Sequence, residues 1–497
     1  MRWKQPTLAD QQHYPPQQVF EAGLRHHHIA NTAYPINHNW TMKDYRVRRV
    51  DYETVTAKAW QDIEEMGLYV HIPFCQARCN FCEYTVIDPA DNEKSEDGYF
   101  DLLGWEFEQC DRLLTTRKKT LAGFDIGGGT PAFAKAENIA RVVEAARTHF
   151  QWQPGLQISI ETTPLIAAQQ PEKIAAFYQM GIERISMGVQ ITQLTLANKL
   201  GRQYKGFEGL LEAGRNIRAA GFKKFNIDLM YGFAGQSVAD WRDSVEKCLE
   251  LEPDYVTLYQ MRYKGTRLQA QARQVTKETV AEMYTVAWER LNRAGYHAPP
   301  GKNTFSRLPG DMGTSDYLTN RVIKGTPYLG LGLGAQSLTH HTLAYNRGAG
   351  PKRIDPYRKA LEAGQLPIQD LYDLPRVVSM AKMISVSFYF GEINRKYFYG
   401  KFGITLEEQF PTEIDFVLSE GLMEYRGDCL SLTPKGVRFY NGVIALFYAP
   451  AVKLHLLQRP VDPGEQASVQ TQRAGRCHNH AVLKERRSKQ LKVVVKF

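Results

Sequence analysis

The chain has 497 residues, seven cysteines and a formal net charge of +9, with 43% hydrophobic and 23% charged residues. At about 100–200 residues per domain it holds two to four domains, and this balance excludes a wholly disordered or fibrous protein. Its most apolar stretch, residues 442–452, contains Pro450 and is shorter than the ~20 apolar residues a spanning helix needs. The polar opening, residues 1–10, does not read as a signal peptide. A cytoplasmic protein without membrane partners is expected, its cysteines serving as ligands or buried thiols and not as disulfides. Residues 458–497 hold nine Lys or Arg against three acids, a net of +6. The positive charge therefore belongs to a tail, and no nucleic-acid partner is expected for the body.

In chain order, residues 1–30 are rich in Gln, His and Pro without a clean period and read as an arm. Val55, Ala59, Ile63 and Met66 predict a helix over 54–67. Short apolar runs follow at 68–71, 121–126, 156–160, 184–189, 225–230 and 255–261. Helical patterns alternate with them at 99–114, 134–150, 172–180, 207–220 and 238–251. Six strands alternating with helices predict an α/β fold around a parallel sheet with right-handed crossovers, either an open six-unit barrel or a doubly wound sheet. After residue 298 the alternation fades. A Gly-rich run at 328–338 leads to a helical module at 373–448 with a short strand pair around 422–432.

The most informative stretch is YVHIPFCQARCNFCEY, residues 69–84, with Cys75, Cys79 and Cys82 directly after a strand. Three thiolates within eight residues can converge on one metal centre. Structural zinc takes four protein ligands and a cubane cluster usually takes four Cys, so three leave one position open. Further along, DIGGGTP (125–131) closes a strand and opens a helix, where glycines and a helix N-terminus favour an anion. Glu161, Gln190 and Asp228 stand at the ends of successive strands, with Arg202 in LGRQY and Arg262 after the sixth strand. Strand C-termini are where barrel enzymes gather their chemistry.

The C-x3-C-x2-C spacing with Phe81 before the third cysteine resembles the signature of radical S-adenosylmethionine enzymes. The flanking LYVHIPFC is similar to a narrower group, the oxygen-independent coproporphyrinogen III oxidase family. That group includes a haem chaperone, anaerobic haem-opening enzymes and class C radical methyltransferases. The likeness extends over residues 32–440, through GVQ…GR, NIDLMYG, GLGLGAQS, NTAYP (31–35) and LTPKG (432–436). It implies a partial (β/α)6 barrel of parallel strands at 61–300, preceded by an N-terminal arm at 1–60. A Gly-rich barrel-covering segment at 301–372, a small α-rich C-terminal domain at 373–450 and a basic tail at 451–497 would follow.

The resemblance further implies a [4Fe–4S] cluster on Cys75, Cys79 and Cys82 and two molecules of S-adenosylmethionine. Tyr69, Gly128 and Glu161 match the first cofactor site, with Tyr69 and Glu161 counted as catalytic. Phe81, Gly129, Thr130, Gln190, Arg202 and Asp228 match the second, and Arg262 and Gln336 fall on further cofactor positions. The implied reaction is reductive cleavage of S-adenosylmethionine and oxidative decarboxylation of a porphyrinogen-like tetrapyrrole. The implied electron donor is a reductase or a flavodoxin- or ferredoxin-type protein, and the protein itself is expected to be a monomer. Radical methyl transfer or cyclopropanation on a secondary metabolite is the alternative reaction. A haem-binding chaperone is the non-enzymatic alternative, against which the 68 residues before Tyr69 count. Tyr84 stands where the oxidases carry a fourth cysteine, which separates this chain from them in detail. His26–His28 and the Cys477–His480 pair read as solvated, Cys110, Cys248 and Cys429 as packed thiols, and His71 as a structural strand residue.

Overall fold

The computed structural model describes residues 3–25, 34–202, 205–350 and 352–459. The six apolar runs form six parallel strands: β1 Glu65–Ile72, β2 Thr120–Gly128, β3 Ile158–Thr162, β4 Ile182–Gln190, β5 Lys224–Tyr231 and β6 Tyr255–Gln260. They lie side by side in chain order. Each is followed by a helix: Asn92–Leu114, Ala136–His149, Pro171–Gln179, Gly206–Ala219, Val238–Glu250 and Lys277–Arg293. The last completes the sixth unit, although its periodicity had not marked it. Local chemistry sets the helix starts. Ser237 Oγ accepts the Asp240 N–H while the Asp240 carboxylate accepts the Ser237 N–H, closing a capping box. Leu68, Val70 and Ile72 turn outward into the helix layer with Phe124, Ile126, Ile158, Ile160, Ile185 and Ile227. The alternate residues, Tyr69, Asp125, Ser159, Glu161, Ser186, Asn226 and Asp228, line the barrel interior.

Three expectations change. The helix expected over 54–67 ends at Trp60, and β1 takes over at Glu65. Met66 pairs with Leu121 in the sheet, because a parallel neighbour satisfies the backbone that a helix would otherwise have to close on itself. The run expected to cover the barrel is part of the sheet. Strand β7, Thr304–Ser306, pairs antiparallel to β6, and β8, Tyr328–Leu331, pairs parallel to β1. Strands β9 Gln336–Leu338, β10 Thr342–Asn346 and β11 Ile368–Asp373 extend it antiparallel. A four-residue strand with a glycine inside it and another just after it carries too little periodicity to be read, yet β1 offers an edge that must be paired or covered.

The third change concerns the chain ends. Residues expected to form an arm include the Pro16–Leu24 helix, with Val19, Phe20 and Ala22 buried in the C-terminal core. That core also holds the Arg376–Ser387, Pro411–Ser419, Tyr440–Leu446 and Pro450–Gln458 helices. A small sheet completes it, formed by β12 Glu392–Asn394, β13 Met423–Arg426 and β14 Cys429–Leu432. The first residues of the expected basic tail are therefore a packed helix, in which Lys453 pairs with Glu413 at 2.7 Å. His26–His28, residues 31–33 and everything from residue 460 on, with Cys477–His480, lie outside the described residues. Among the described residues no helix is long and apolar enough to cross a membrane.

The two ends meet where a Cβ on Gly23 would lie 2.5 Å from the Asn441 carbonyl oxygen and 2.6 Å from Ala445 Cβ. Gly23→Ala is expected to destabilise by about 1–3 kcal/mol through overpacking, measured by denaturant unfolding. Gly98→Ala, in a helix with nothing within 4 Å of the added methyl, is expected to stabilise by about 0.5–1 kcal/mol.

Candidate active site

The strand ends open into one cavity of about 1810 Å³. All fourteen residues singled out from the sequence line it. Its wall contains more than those fourteen, and the additional residues follow from strand alternation, since every second residue of β3–β6 faces inward.

The cysteine loop leaves β1 at Ile72 and is bonded at its root, at its tip and beyond its last cysteine. At its root the Gly129 N–H donates to Ile72 O and the Thr130 N–H to Phe74 O, both at 2.8 Å. Asn92 Nδ2 donates to Cys75 O at 2.8 Å. At its tip Asn80 is held by the Leu200 and Lys199 carbonyls at 2.9 Å each. Beyond Cys82, Glu83 forms an ion pair with Arg262. Arg262, expected at a cofactor, thus ties the loop to the end of β6. All three thiols are free and partly accessible. Cys75 Sγ lies 3.5 Å from Thr130 Oγ1, and Arg202 donates to Cys79 Sγ at 3.7 Å. Cys110 and Cys248 are buried and Cys429 half-buried, all three free thiols.

The glycine run meets this loop so closely that side chains are excluded. A Cβ on Gly129 would lie 2.6 Å from Phe74 O, and one on Gly128, at φ +125°, 2.8 Å from the His71 ring. His71 itself is structural. Its Nε2 reaches Thr85 O at 2.8 Å; a carbonyl only accepts, so Nε2 carries the proton. Burial holds the ring down to about 4, so it is neutral, and Nδ1 accepts from the Tyr69 hydroxyl at 3.3 Å.

Glu161 accepts the Gly128 N–H at 3.3 Å. Burial, then Asp228 and Asp125, push its carboxyl up to about 8. Asp125 is raised to about 6 by burial, against the Ser315 hydroxyl that donates to it at 2.7 Å. Asp228 is raised by burial too, while Ser186 and Asn226 donate to it at 2.8 Å each. Its carboxylate is therefore already engaged by the barrel wall. Arg184 sits among these three acids, donating to Ser159 at 3.1 Å.

At the end of β4 the register slips between Gly188 and Gln190, and Gln190 takes a left-handed φ of +68°. A bulge re-aims a side chain at a rim, and Gln190 Oε1 is buried with no partner among the described residues. Arg202 donates to the Gly188 carbonyl across this bulge. Phe81 packs on Phe233 at 5.6 Å between ring centres. Gln336 accepts from Tyr328 and lies 3.4 Å from Lys382 Nζ. Tyr84 is 58% exposed at the cavity wall.

Glu161 predicts a pH dependence. With its folded value near 8 and its unfolded value near 4.5, the folded state holds the proton in between. Stability therefore falls as pH rises through that window and stays low above it. Glu161→Gln removes this loss. Without S-adenosylmethionine, its melting temperature should exceed that of the parent at pH 8.5 and match it at pH 4.5, read by differential scanning fluorimetry.

Residues 69–248 match the Radical SAM superfamily. The chain is 26% identical over 392 residues to the heme chaperone HemW of Mycobacterium tuberculosis, covering 77% of this chain and 94% of that protein. It is 23% identical over 406 residues to the oxygen-independent coproporphyrinogen III oxidase of Synechocystis, covering 77% and 84%. The solved structure of coproporphyrinogen III oxidase HemN from Escherichia coli superposes with a TM-score of 0.69 at 21% identity. That match covers 84% of this chain and 96% of the other, and it establishes a shared fold. The segment that carries the cysteine loop, the glycine turn and the ends of β1 to β5 is thus the part of this chain that matches a Radical SAM domain.

Proposed function

We propose that the chain holds a [4Fe–4S] cluster on Cys75, Cys79 and Cys82, cleaves S-adenosylmethionine reductively, and directs the resulting 5′-deoxyadenosyl radical at a tetrapyrrole. Oxidative decarboxylation of its propionate side chains is the proposed outcome: the radical takes one hydrogen atom to become 5′-deoxyadenosine, and as carbon dioxide leaves, the remaining electron passes to an external one-electron acceptor. The observation that carries this reading is the seat of the cysteine loop. Three free thiols on one loop, bonded at its root to the glycine turn, face the same cavity as Glu161. The donor set fits the group: three thiols can take three corners of a cubane. Among the described residues no three His, Cys, Asp or Glu converge closely enough to hold a single ion, a convergence that the separate irons of a cubane do not require.

When bound, the cluster supplies one electron to the sulfonium of S-adenosylmethionine. The electron originates from an external reductase or a flavodoxin- or ferredoxin-type donor. Glu161 is proposed to accept the cofactor's ammonium; a cation there favours the carboxylate that burial alone disfavours. The Gly128 N–H and the fixed Tyr69–His71–Thr85 chain orient that corner. Gln190, Arg202 and Phe81 are proposed to border a second S-adenosylmethionine, with Asp228 acting through Ser186 and Asn226. Tyr317 packs between Tyr69 and Tyr328, with ring centres 6.1 and 6.0 Å away, and lines the same cavity.

Reconstituted anaerobically, the protein should bind about four irons, as a cubane requires. The Cys75/Cys79/Cys82→Ala triple variant should bind none, and single Ala changes at Cys110, Cys248 or Cys429 should retain all of it. Glu161→Gln should keep the iron and weaken S-adenosylmethionine binding roughly tenfold or more. The lost charge-assisted bond is worth about 1.5–3 kcal/mol at about 1.4 kcal/mol per decade.

The 26% identity to the heme chaperone supports a second reading, a haem carrier that performs no reaction on the tetrapyrrole. Reduced holoprotein given S-adenosylmethionine and coproporphyrinogen III separates the two. Release of 5′-deoxyadenosine and carbon dioxide is expected. Stoichiometric haem binding, with neither product formed from protein of full iron content, would replace the first reading by the second.

A further inference from the structure

Arg321 is a cation in the cavity wall with no acid in ion-pair range among the described residues. It sits in a π-helical turn, Asn320–Lys324, a geometry that is rare and concentrated at functional sites. Its guanidinium lies 4.0 Å from the centre of the Tyr328 ring and 5.9 Å from that of Tyr317. It donates to the Tyr317 hydroxyl at 3.3 Å, to the Tyr328 hydroxyl at 3.0 Å and to Gln336 Oε1 at 3.5 Å. All three acceptors are neutral oxygens, and burial keeps both phenols protonated by raising them. Nε is buried and has no partner among the described residues, which use only part of a fork that carries five N–H donors.

Arg184 and Arg262 differ from it, and Arg202 donates to the Gly188 carbonyl and to Cys79 Sγ. Arg262 has Glu83, and Arg184 stands among Asp125, Glu161 and Asp228. Asp125 acts on Arg321 only beyond ion-pair range and is held by Ser315. A guanidinium removed from bulk water and matched only by neutral groups favours an anion, and its planar fork matches a carboxylate edge.

We propose that Arg321, framed by Tyr317, Tyr328 and Gln336, receives a carboxylate of the substrate and thereby fixes which part of it faces the cysteine loop. The inference deepens the tetrapyrrole reading above and rests on it. A structural arginine would serve the scaffold alone, whereas this one should discriminate acids from their esters.

The test uses anaerobically reconstituted protein with S-adenosylmethionine, as the parent and as Arg321→Gln and Arg321→Lys variants. The probes are coproporphyrin III and its tetramethyl ester in one detergent buffer, with binding followed by fluorescence. The parent should bind the acid at least tenfold more tightly than the ester. Arg321→Gln should lose at least tenfold for the acid and nothing for the ester, and Arg321→Lys should keep part of the preference. Iron content and S-adenosylmethionine affinity should not move. In the absence of probe, the melting temperature of Arg321→Gln should be unchanged or higher, because no acid is left unpaired. Equal binding of acid and ester by the parent, or a preference that survives Arg321→Gln, overturns the inference alone. A drop of many degrees in both variants assigns Arg321 to the scaffold and also overturns it. Binding of neither probe by parent protein with full iron and cofactor overturns the tetrapyrrole reading, and the inference with it.

Discussion

Two backbone hydrogen bonds, from Gly129 and Thr130 to the carbonyls of Ile72 and Phe74, hold the cysteine loop to the rest of the site. They continue the β1–β2 pairing one step beyond the sheet, so the loop starts from a fixed point and a fixed direction. A side chain at Gly128 or Gly129 would strike His71 or Phe74 O, and the two segments could not approach. The glycines therefore bring the cysteine loop and the Glu161 corner together, because the same turn that anchors the loop also presents its Gly128 N–H to Glu161. One short contact thus sets the relation between the thiols and the acid.

The cavity separates its charges by partner. Glu161, Asp125 and Asp228 share a space with Arg184, and burial makes all three reluctant to ionise. Such a pocket is poised for a cationic group, whose arrival supplies the charge the acids lack. Arg321 has the reverse arrangement, a cation held by phenols and an amide. A ligand carrying both an ammonium and carboxylates, or two ligands carrying one each, would satisfy both ends together. Glu83 and Arg262 neutralise each other at the rim, where their pairing adds a third anchor to the loop.

Among the described residues, the first long helix and the C-terminal module pack together. The Pro16–Leu24 helix packs on the Tyr440–Leu446 helix through Gly23 and Gly442, and Phe20 enters the C-terminal core. Lys382, in that module, donates to Tyr34 O at 2.5 Å and approaches Gln336. The C-terminal module is thereby joined to the wall of the cavity that Arg321 faces, and the N-terminal segment takes part in the join.

Much of the barrel and its site was legible in the sequence because both depend on local periodicity and short motifs. Runs such as 121–126 and 225–230 could be read as buried strands, and the spacing of Cys75, Cys79 and Cys82 needs only a loop to make sense. Every second residue of an inward-facing strand also belongs to the wall, so Ser186, Asn226 and Thr257 could have been found by the same alternation. What the sequence could not decide were contacts between distant segments. Tyr328–Leu331 is too short to show a period, and it became a strand because β1 had an unpaired edge. The helix at Pro16–Leu24 has its partner more than 400 residues away, and Arg262 acquired Glu83 only when the sixth strand curved round to meet the cysteine loop. Nothing near Arg321 in the chain marks it as a cation with no acid in ion-pair range among the described residues. Periodicity and spacing are properties of neighbours in sequence, whereas edge pairing, burial and charge balance depend on which segments meet in space, and here only the tertiary structure decided that.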